Sequence, residues 1–375
     1  MTQEAVPVER TAEKFPAALF RGPTVEEALV ANGGFGPGFD TLRLILSLAV
    51  LLSHAILLSN GEAWFEKMPV MLTTVRLMIV PVFFALGGFL VTASALRLRA
   101  VGPFLAFRVL RIFPALAVEV TLSAFILGAL FTKLPLREYF THPELWHYFG
   151  NIIGFIQFTL PGVFYDNPHY AGWVNPSLWT LKPDYYSYLL MAALMFTRLI
   201  YNRTVFSVLF LAGTAVLFTL DITQGLGEPT LVVPMWSLVY YFYAGVFAFH
   251  WRDKIVLNGW LFALAVLITC LSSGRLWSYV LSIPVVYVMV FAGMSRIPTP
   301  QFLKRTDFSY GIYLYNCPIL AALVAATSNR LAWYELFAIG VILTGAFAML
   351  SWKFIERPSL GLKRLFAPTK TLPRP

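Results

Sequence analysis

The chain has 375 residues, of which 58% are hydrophobic and 13% are charged, and its mean hydropathy is +0.70. Soluble globular proteins carry roughly a quarter charged residues, so this composition excludes an ordinary soluble domain and indicates an all-α, polytopic integral membrane protein. The net charge of +9 does not indicate nucleic-acid binding, because the basic residues cluster between apolar runs, as the positive-inside rule expects.

The predicted elements begin after a polar segment, 1–38, that ends in a Gly/Pro-rich stretch and is expected to be a flexible cytoplasmic tail. About ten transmembrane helices of roughly 17 to 25 residues follow. They are predicted at 39–59, 70–95, 112–131, 178–200, 204–221, 230–250, 255–272, 275–293, 308–327 and 332–354. The last segment, 355–375, is short and basic, and we expect it to be a second cytoplasmic tail.

The basic residues predict the orientation in the membrane. Most of the 28 Lys and Arg residues fall on the same side as the N-terminus, so both termini are expected inside (N-in, C-in). The long loop 132–177 is then outside, and its apolar stretch 149–164 is too short for a span, which predicts a re-entrant or interfacial segment. The two cysteines, Cys270 and Cys317, show neither disulfide nor metal-ligand spacing.

The first span carries two ionisable residues, Arg43 and His54, with ten residues between them. Eleven helical steps turn the chain by about 1100°, three turns plus roughly 20°, so the two side chains share one helix face about 16 Å apart along the axis. Ionisable residues inside a membrane are candidate functional residues, because burying them in hydrocarbon is costly. The simpler interpretations are a topology anchor for Arg43 and a bond to a neighbouring helix for His54.

A neutral imidazole at the depth of His54 can accept a proton from a hydroxyl, the usual role of a general base. Asp184 lies about 7 Å beyond Trp179 in the fourth span, at a similar depth, and could orient the imidazole. The alternative is a pair between Asp184 and Lys182, although residues two apart do not face each other on a regular helix.

Arg108 and Arg111 precede the third span and are i,i+3 neighbours if their segment is helical. Two guanidinium groups on one side suit a phosphate ligand, because they match phosphate oxygens in pairs, whereas positive-inside topology is the competing explanation. Aromatic and polar residues around the outer loop suit a polyhydroxylated ligand, and we expect Trp173, Asn175 and Trp179 to contact it, although interfacial packing has the same composition.

Six motifs follow one another in the order of the predicted spans. They are Phe39–Arg43 continuing to His54, Phe83–Leu90, Phe107–Pro114, Leu178–Leu181, Ser309–Leu314 and Phe354–Pro358. Together they cover roughly 39–360 and resemble the membrane-bound acyltransferase-3 family, the bacterial O-acyltransferases of cell-surface and secreted sugars such as exopolysaccharides.

The resemblance implies a ten-span enzyme of the bacterial inner membrane that transfers an acyl group, usually acetyl, from cytoplasmic acetyl-CoA. The acceptor is a hydroxyl of a glycan, a glycolipid or a glycosylated small molecule, and no metal or nucleic acid takes part. It also implies that Arg108 and Arg111 hold the CoA phosphates, that Arg43 places the donor and that His54 acts at the acceptor hydroxyl.

Two positions depart from the family pattern. The family often has glutamate at the position of Asp184 and histidine at the position of Asn316, and asparagine cannot be a base. With these residues the sequence predicts that His54, oriented by Asp184, deprotonates a sugar hydroxyl arriving from outside. Direct transfer and an acyl-histidine relay both remain open.

Two alternatives come from other functional classes. A proton- or ion-coupled sugar or lipid transporter could use the same intramembrane Arg, His and Asp residues as a relay. A non-catalytic membrane scaffold would leave the buried pair of Arg43 and His54 without a role.

Overall fold

The computed structural model describes residues 21–224, 233–272, 279, 281–297 and 307–366. These residues form helices and connecting turns, with extended pairing limited to three isolated β-bridges in the described part of the chain. The predicted all-α class is therefore confirmed.

The helices of the first half are α1 Val25–Ala31, α2 Phe39–Asn60, α3 Glu62–Glu66, α4 Val70–Leu98, α5 Val101–Leu122, α6 Gly128–Phe131, α7 Leu136–Thr141 and α8 Pro143–Tyr148. Those of the second half are α9 Leu181–Phe196, α10 Arg203–Gln224, α11 Met235–His250, α12 Gly259–Leu271, α13 Ser282–Met294, α14 Ser309–Ala326, α15 Trp333–Ser351, α16 Arg357–Gly361 and α17 Lys363–Phe366. Two π-helical segments, Ser123–Leu127 and Trp352–Glu356, join α5 to α6 and α15 to α16.

Within the described ranges, six helical segments are long and apolar enough to cross a membrane. They are Phe39–Asn60, Val70–Leu98, Val101–Phe131, Arg203–Leu220, Ser309–Ala326 and Trp333–Phe366. Helices α12 and α13 are apolar but have 13 residues each, and α9 and α11 have 16. A helix of that length falls short of the roughly 30 Å hydrocarbon core. A multi-pass membrane protein is supported, and the count of ten spans stays a prediction.

The helices of the structure differ from the predicted boundaries at three places. Helix α5 begins at Val101 rather than at 112, so Arg108 and Arg111 lie on a membrane helix and not in a loop. Helix α1 forms inside the segment predicted to be a flexible tail, because Thr24 and Glu27 make a capping box. The helix that starts at Trp333 continues through a π-helical segment to Phe366, where a tail was expected from 355. Residues 1–20 and 367–375 lie outside the described ranges.

The ordered N-terminal segment packs against the connection between α11 and α12. The backbone amide of Val25 donates to the Ile255 carbonyl at 2.9 Å, and Arg252 pairs with Glu26 at 3.0 Å. These bonds hold α1 in a fixed position against that connection.

Helices α2, α14 and α15 pack around a buried apolar cluster, and this trio positions His54. The cluster includes Leu51, Ala55, Leu58, Leu320 and Leu336. The outer loop is pinned separately by Asn151, whose amide Nδ2 donates to the carbonyls of Tyr148 and Gln157 at 2.9 Å each. A re-entrant or interfacial role for 149–164 remains a prediction.

Candidate active site

A cavity of about 220 Å³ lies between α2, α4, α5, α9 and α14. Its polar wall consists of Arg43, Arg108, Arg111, Asp184 and Asp307, and α4 supplies much of its apolar wall. The structure thus brings four predicted site residues, from three different helices, into one cavity.

Five charged residues, brought together from distant parts of the chain, form one network beside this cavity. Asp307 Oδ2 lies 3.2 Å from Arg43 Nη1 and 2.5 Å from Arg111 Nη2. Arg111 Nη1 also pairs with Glu356 at 3.2 Å, and Arg43 pairs with Asp40 at 3.1 Å. Both guanidinium groups are therefore already neutralised by carboxylates.

Asp307, which precedes α14, stays ionised in this network. Burial by itself would raise the pKa of Asp307, but the neighbouring Arg111 and Arg43 guanidiniums and the Ser309 donors outweigh it and lower the pKa to about 2. The bridge between Arg43 and Arg111 therefore persists at neutral pH.

Glu356 reaches Arg111 because of the π-helical segment at the end of α15. An extra residue in a helical turn shifts the side chains that follow it to a different face. Glu356 is 2% exposed, and the Ser351 hydroxyl donates to its Oε1 at 3.1 Å. The deviation from regular helix thus places a carboxylate beside Arg111.

Arg108 differs from Arg111, although the two lie one turn apart on α5. Among the described residues Arg108 forms no ion pair, and its Nε is buried without a hydrogen-bond partner. Its guanidinium carbon lies 5.7 Å from the centroid of the Phe104 ring and 5.9 Å from that of the Tyr188 ring. The Asp184 carboxylate is near enough to interact with it electrostatically. A buried guanidinium that forms no ion pair and has an unpartnered Nε is suited to bind an anionic or carbonyl ligand in the cavity.

His54 faces α14, the helix that follows Asp307, so Arg43 and His54 share a face as their spacing predicts. Its Nδ1 lies 2.7 Å from Asn316 Oδ1 and 3.1 Å from Cys317 Sγ. The prediction that Asp184 orients this imidazole is corrected here, because Asn316 occupies the orienting position and Asp184 lies in the cavity near Arg108.

A thin polar wall separates the cavity from His54. Ser177 lines the cavity, and its Oγ lies 3.1 Å from Cys317 Sγ, which in turn contacts the imidazole. Beside it, Thr180 Oγ1 lies 3.0 Å from the Tyr313 hydroxyl. One layer of side chains therefore stands between the cavity with Arg108 and the candidate base.

Comparison with known proteins decides the class of this site. A family model described as an acyltransferase domain, that of acyltransferase-3, matches residues 37–352. The chain belongs to the acyltransferase-3 family. The match favours the enzyme over the transporter and scaffold alternatives.

Two curated relatives cover nearly the full length of the acyltransferase. Nodulation protein 10 of Rhizobium leguminosarum bv. viciae is 28% identical over 371 residues, 91% of this chain and 97% of that protein. An O-acetyl transferase of Shigella phage Sf6 is 25% identical over 329 residues, 85% of this chain and 94% of that protein. No solved structure matches the acyltransferase.

The predicted acceptor residues occupy three different environments in the acyltransferase. Trp173 is half-buried and packs on Tyr170, with ring centroids 4.6 Å apart. Trp179 packs against the apolar cluster around α11 and α4. Asn175 is fully buried, and its Nδ2 donates to Glu119 at 2.9 Å and to the Leu314 carbonyl at 3.1 Å.

The position of Asn175 follows from a proline in α14. Pro318 has no N–H, so the carbonyl of Leu314, four residues earlier, lacks its usual helical donor. The Asn175 amide supplies that donor and ties the end of the outer loop to α14. This arrangement favours a positioning role for Asn175 over direct contact with an acceptor.

Sequence reasoning missed three carboxylates: Asp307, Glu356 and Glu119. Glu119 is 1% exposed and accepts hydrogen bonds from Ser123 and Asn175. Glu119 is an acidic residue inside the predicted third span, which marks a candidate functional residue. In the described part of the chain, no three His, Cys, Asp or Glu side chains are grouped to hold a metal ion.

Proposed function

We propose that this acyltransferase moves an acetyl group from cytoplasmic acetyl-CoA to a hydroxyl of a cell-surface or secreted glycan, a glycolipid or a glycosylated small molecule, in the bacterial inner membrane. The observation that carries the proposal is the pair of Arg108, a cavity residue whose buried Nε has no hydrogen-bond partner, and His54, one side-chain layer beyond the cavity. The name of the phage relative, an O-acetyl transferase, favours acetyl as the acyl group.

The donor has room on the side where α1 packs. A cleft of about 1420 Å³ adjoins the cavity and shares Arg43 and Leu90 with it. Arg252 and Arg296 also line the cleft. In the proposed arrangement the nucleotide of CoA occupies this cleft, because its phosphates need cationic partners. The pantetheine arm then passes Arg43 and brings the thioester to Arg108.

The acceptor approaches the other end of α2. Here Arg76 lies over the Phe65 ring at 4.1 Å, and His169 Nε2 lies 3.0 Å from the Ser59 carbonyl oxygen. Tyr170 and Trp173 of the outer loop complete an aromatic surface. Aromatic faces beside polar groups are suited to sugars.

In the proposed reaction the acetyl group moves from the sulfur of CoA to the hydroxyl oxygen of the acceptor. His54 takes the proton of the acceptor hydroxyl, and the oxygen attacks the thioester carbonyl carbon. The carbon–sulfur bond then breaks, and the CoA thiolate takes up that proton, which leaves the acetyl ester, free CoA and a neutral His54. Arg108 stabilises the negative charge that develops on the donor. A relay through an acyl-histidine would pass the same group in two steps, and both routes need His54.

The proposal is tested with purified protein in nanodiscs, labelled acetyl-CoA and surface glycan from cells that lack the protein. We expect label on the glycan and release of one CoA per acetyl group transferred. Arg108→Gln should weaken donor binding about 10- to 100-fold, whereas Arg137→Gln, on the exposed outer loop, should leave it unchanged. Absence of both donor binding and label transfer in the wild-type protein would contradict the proposal.

A further inference from the structure

The orientation of the Asn316 side-chain amide is fixed by the helix that carries it. Its Nδ2 donates to the carbonyls of Ile312 at 3.2 Å and Tyr313 at 2.6 Å. Asn316 is fully buried, so an amide turned the other way would face two carbonyl oxygens with its own oxygen. Therefore Oδ1, and not Nδ2, points toward His54.

An amide oxygen only accepts hydrogen bonds, so the contact defines the protonation of the imidazole. His54 Nδ1 lies 2.7 Å from Asn316 Oδ1 and must be the nitrogen that carries the hydrogen. A neutral imidazole has one protonated nitrogen, which leaves the lone pair on Nε2. Cys317 Sγ, 3.4 Å from the same oxygen, is a second donor directed at Oδ1.

His54 Nε2 is available to a ligand. Among the described residues no hydrogen bond to Nε2 is formed, and the imidazole keeps partial exposure although it lies deep in the helix bundle. The titratable groups that face the ring are Arg76 from α4 and Cys317 from α14. Neither is a carboxylate that could exchange a proton with Nδ1.

We propose that Asn316 is the positioning residue of the transfer, holding His54 in the tautomer with hydrogen on Nδ1 so that Nε2 takes the proton of the acceptor hydroxyl. This inference rests on the proposed function. The opposite tautomer would present an N–H to the hydroxyl and could not act as a base. Asn316 therefore differs from the histidine that the family often has at this position, because an amide oxygen does not titrate and accepts the Nδ1 hydrogen at any pH.

The first test compares two substitutions in the transfer assay. Asn316→Leu keeps the size of the side chain but cannot accept, and kcat should fall about 10²- to 10⁴-fold while KM for acetyl-CoA stays within about threefold. Asn316→Asp, as the neutral acid, can donate its O–H to the Ile312 and Tyr313 carbonyls and still offers an acceptor for Nδ1–H, and kcat should stay within about tenfold of the wild type. Thr344→Val is the matched control, because it removes from the same helix trio a buried hydroxyl that has no hydrogen-bond partner in the described structure.

The second test reads the tautomer directly by ¹⁵N NMR of histidine-labelled protein in nanodiscs, with His54→Gln to assign the signals. Wild type and Asn316→Asp should show a protonated Nδ1, and Asn316→Leu should lose it. Equal kcat in Asn316→Leu and wild type, or a protonated Nε2 in the wild type, would overturn the inference. If the wild type transfers no acetyl group, the proposed function fails, and the NMR result still decides the tautomer.

Discussion

Arg108 and Arg111 differ in what they already bind. Arg111 lies between Asp307 and Glu356, whereas Arg108 keeps a buried Nε without a partner in the described structure. A cation held by two carboxylates has little capacity left for a phosphate, so we assign Arg111 to shaping the cavity and Arg108 to the donor.

Substitution by glutamine should separate the two arginines. Arg108→Gln should raise KM for acetyl-CoA about 10- to 100-fold, because charged hydrogen bonds contribute about 1.5–3 kcal/mol each. Arg111→Gln should instead lower the free energy of unfolding by about 3–5 kcal/mol, because it leaves Asp307 and Glu356 without their cation. Donor titration and thermal unfolding in detergent measure the two effects. An Arg111 variant as stable as the wild type would contradict this assignment.

Asp307 should make the protein sensitive to acid. Its pKa is lowered to about 2 in the folded state, so its contribution is fully present above its unfolded pKa and is lost as the pH falls through the folded value. We expect about 2 kcal/mol from this group at neutral pH. Asp307→Asn should lower Tm at pH 6, and the difference from the wild type should shrink between pH 4 and pH 2.

The control for this pH series is Asp166→Asn, since the Asp166 side chain is 75% exposed and exposed ion pairs contribute little. If the difference in Tm between Asp307→Asn and the wild type stays constant from pH 6 to pH 2, the ionised Asp307 that bridges Arg43 and Arg111 is not what stabilises the site.

At the scale of the helix, the contact between α4 and α11 depends on small residues. A Cβ at Gly88 would collide with the Phe242 carbonyl oxygen, and a Cβ at Gly245 would collide with the Ala85 carbonyl oxygen. Backbones that approach this closely leave no space for a side chain, a common way for membrane helices to pack.

Gly88→Ala should therefore destabilise the protein by at least about 1–3 kcal/mol, the usual cost of overpacking. Gly87→Ala is the adjacent control, because its Cβ would meet only Phe242 ring carbons at 3.7 Å, an ordinary contact. The two variants are compared by thermal unfolding in the same detergent. Equal Tm values for both variants would show that the backbones of α4 and α11 are not in direct contact at Gly88.

Some of this arrangement could be predicted from the sequence, because helical periodicity is local. The spacing of Arg43 and His54 predicts their common face without any knowledge of neighbouring helices. The partners could not be predicted in the same way: Asp307 is 264 residues from Arg43 along the chain, and Glu356 is turned by a π-helical segment that regular periodicity does not anticipate. Asn316 cannot itself be a base, so its residue type alone does not indicate a role beside His54.

At the scale of the whole molecule, the proposed function requires one fixed orientation in the membrane. The outer loop and the connection between α11 and α12 must lie on opposite sides of the membrane. One exposed cysteine is introduced at a time, Glu138→Cys in the outer loop or Lys254→Cys in that connection. The background is Cys270→Ser, in which the remaining Cys317 is buried. A membrane-impermeant maleimide should label Glu138→Cys in intact spheroplasts and Lys254→Cys only after permeabilisation. Labelling of both before permeabilisation would contradict the N-in, C-in orientation.

The central claim is that the donor enters from the inner side and that His54 completes the transfer toward the outer side. It is tested most directly in sealed membrane vesicles of both orientations, given labelled acetyl-CoA from the external solution and containing acceptor glycan on the periplasmic face. We predict that inverted vesicles label the glycan, that right-side-out vesicles do not, and that His54→Ala abolishes labelling although the protein still inserts. Equal labelling in both orientations, or undiminished labelling with His54→Ala, would contradict the account.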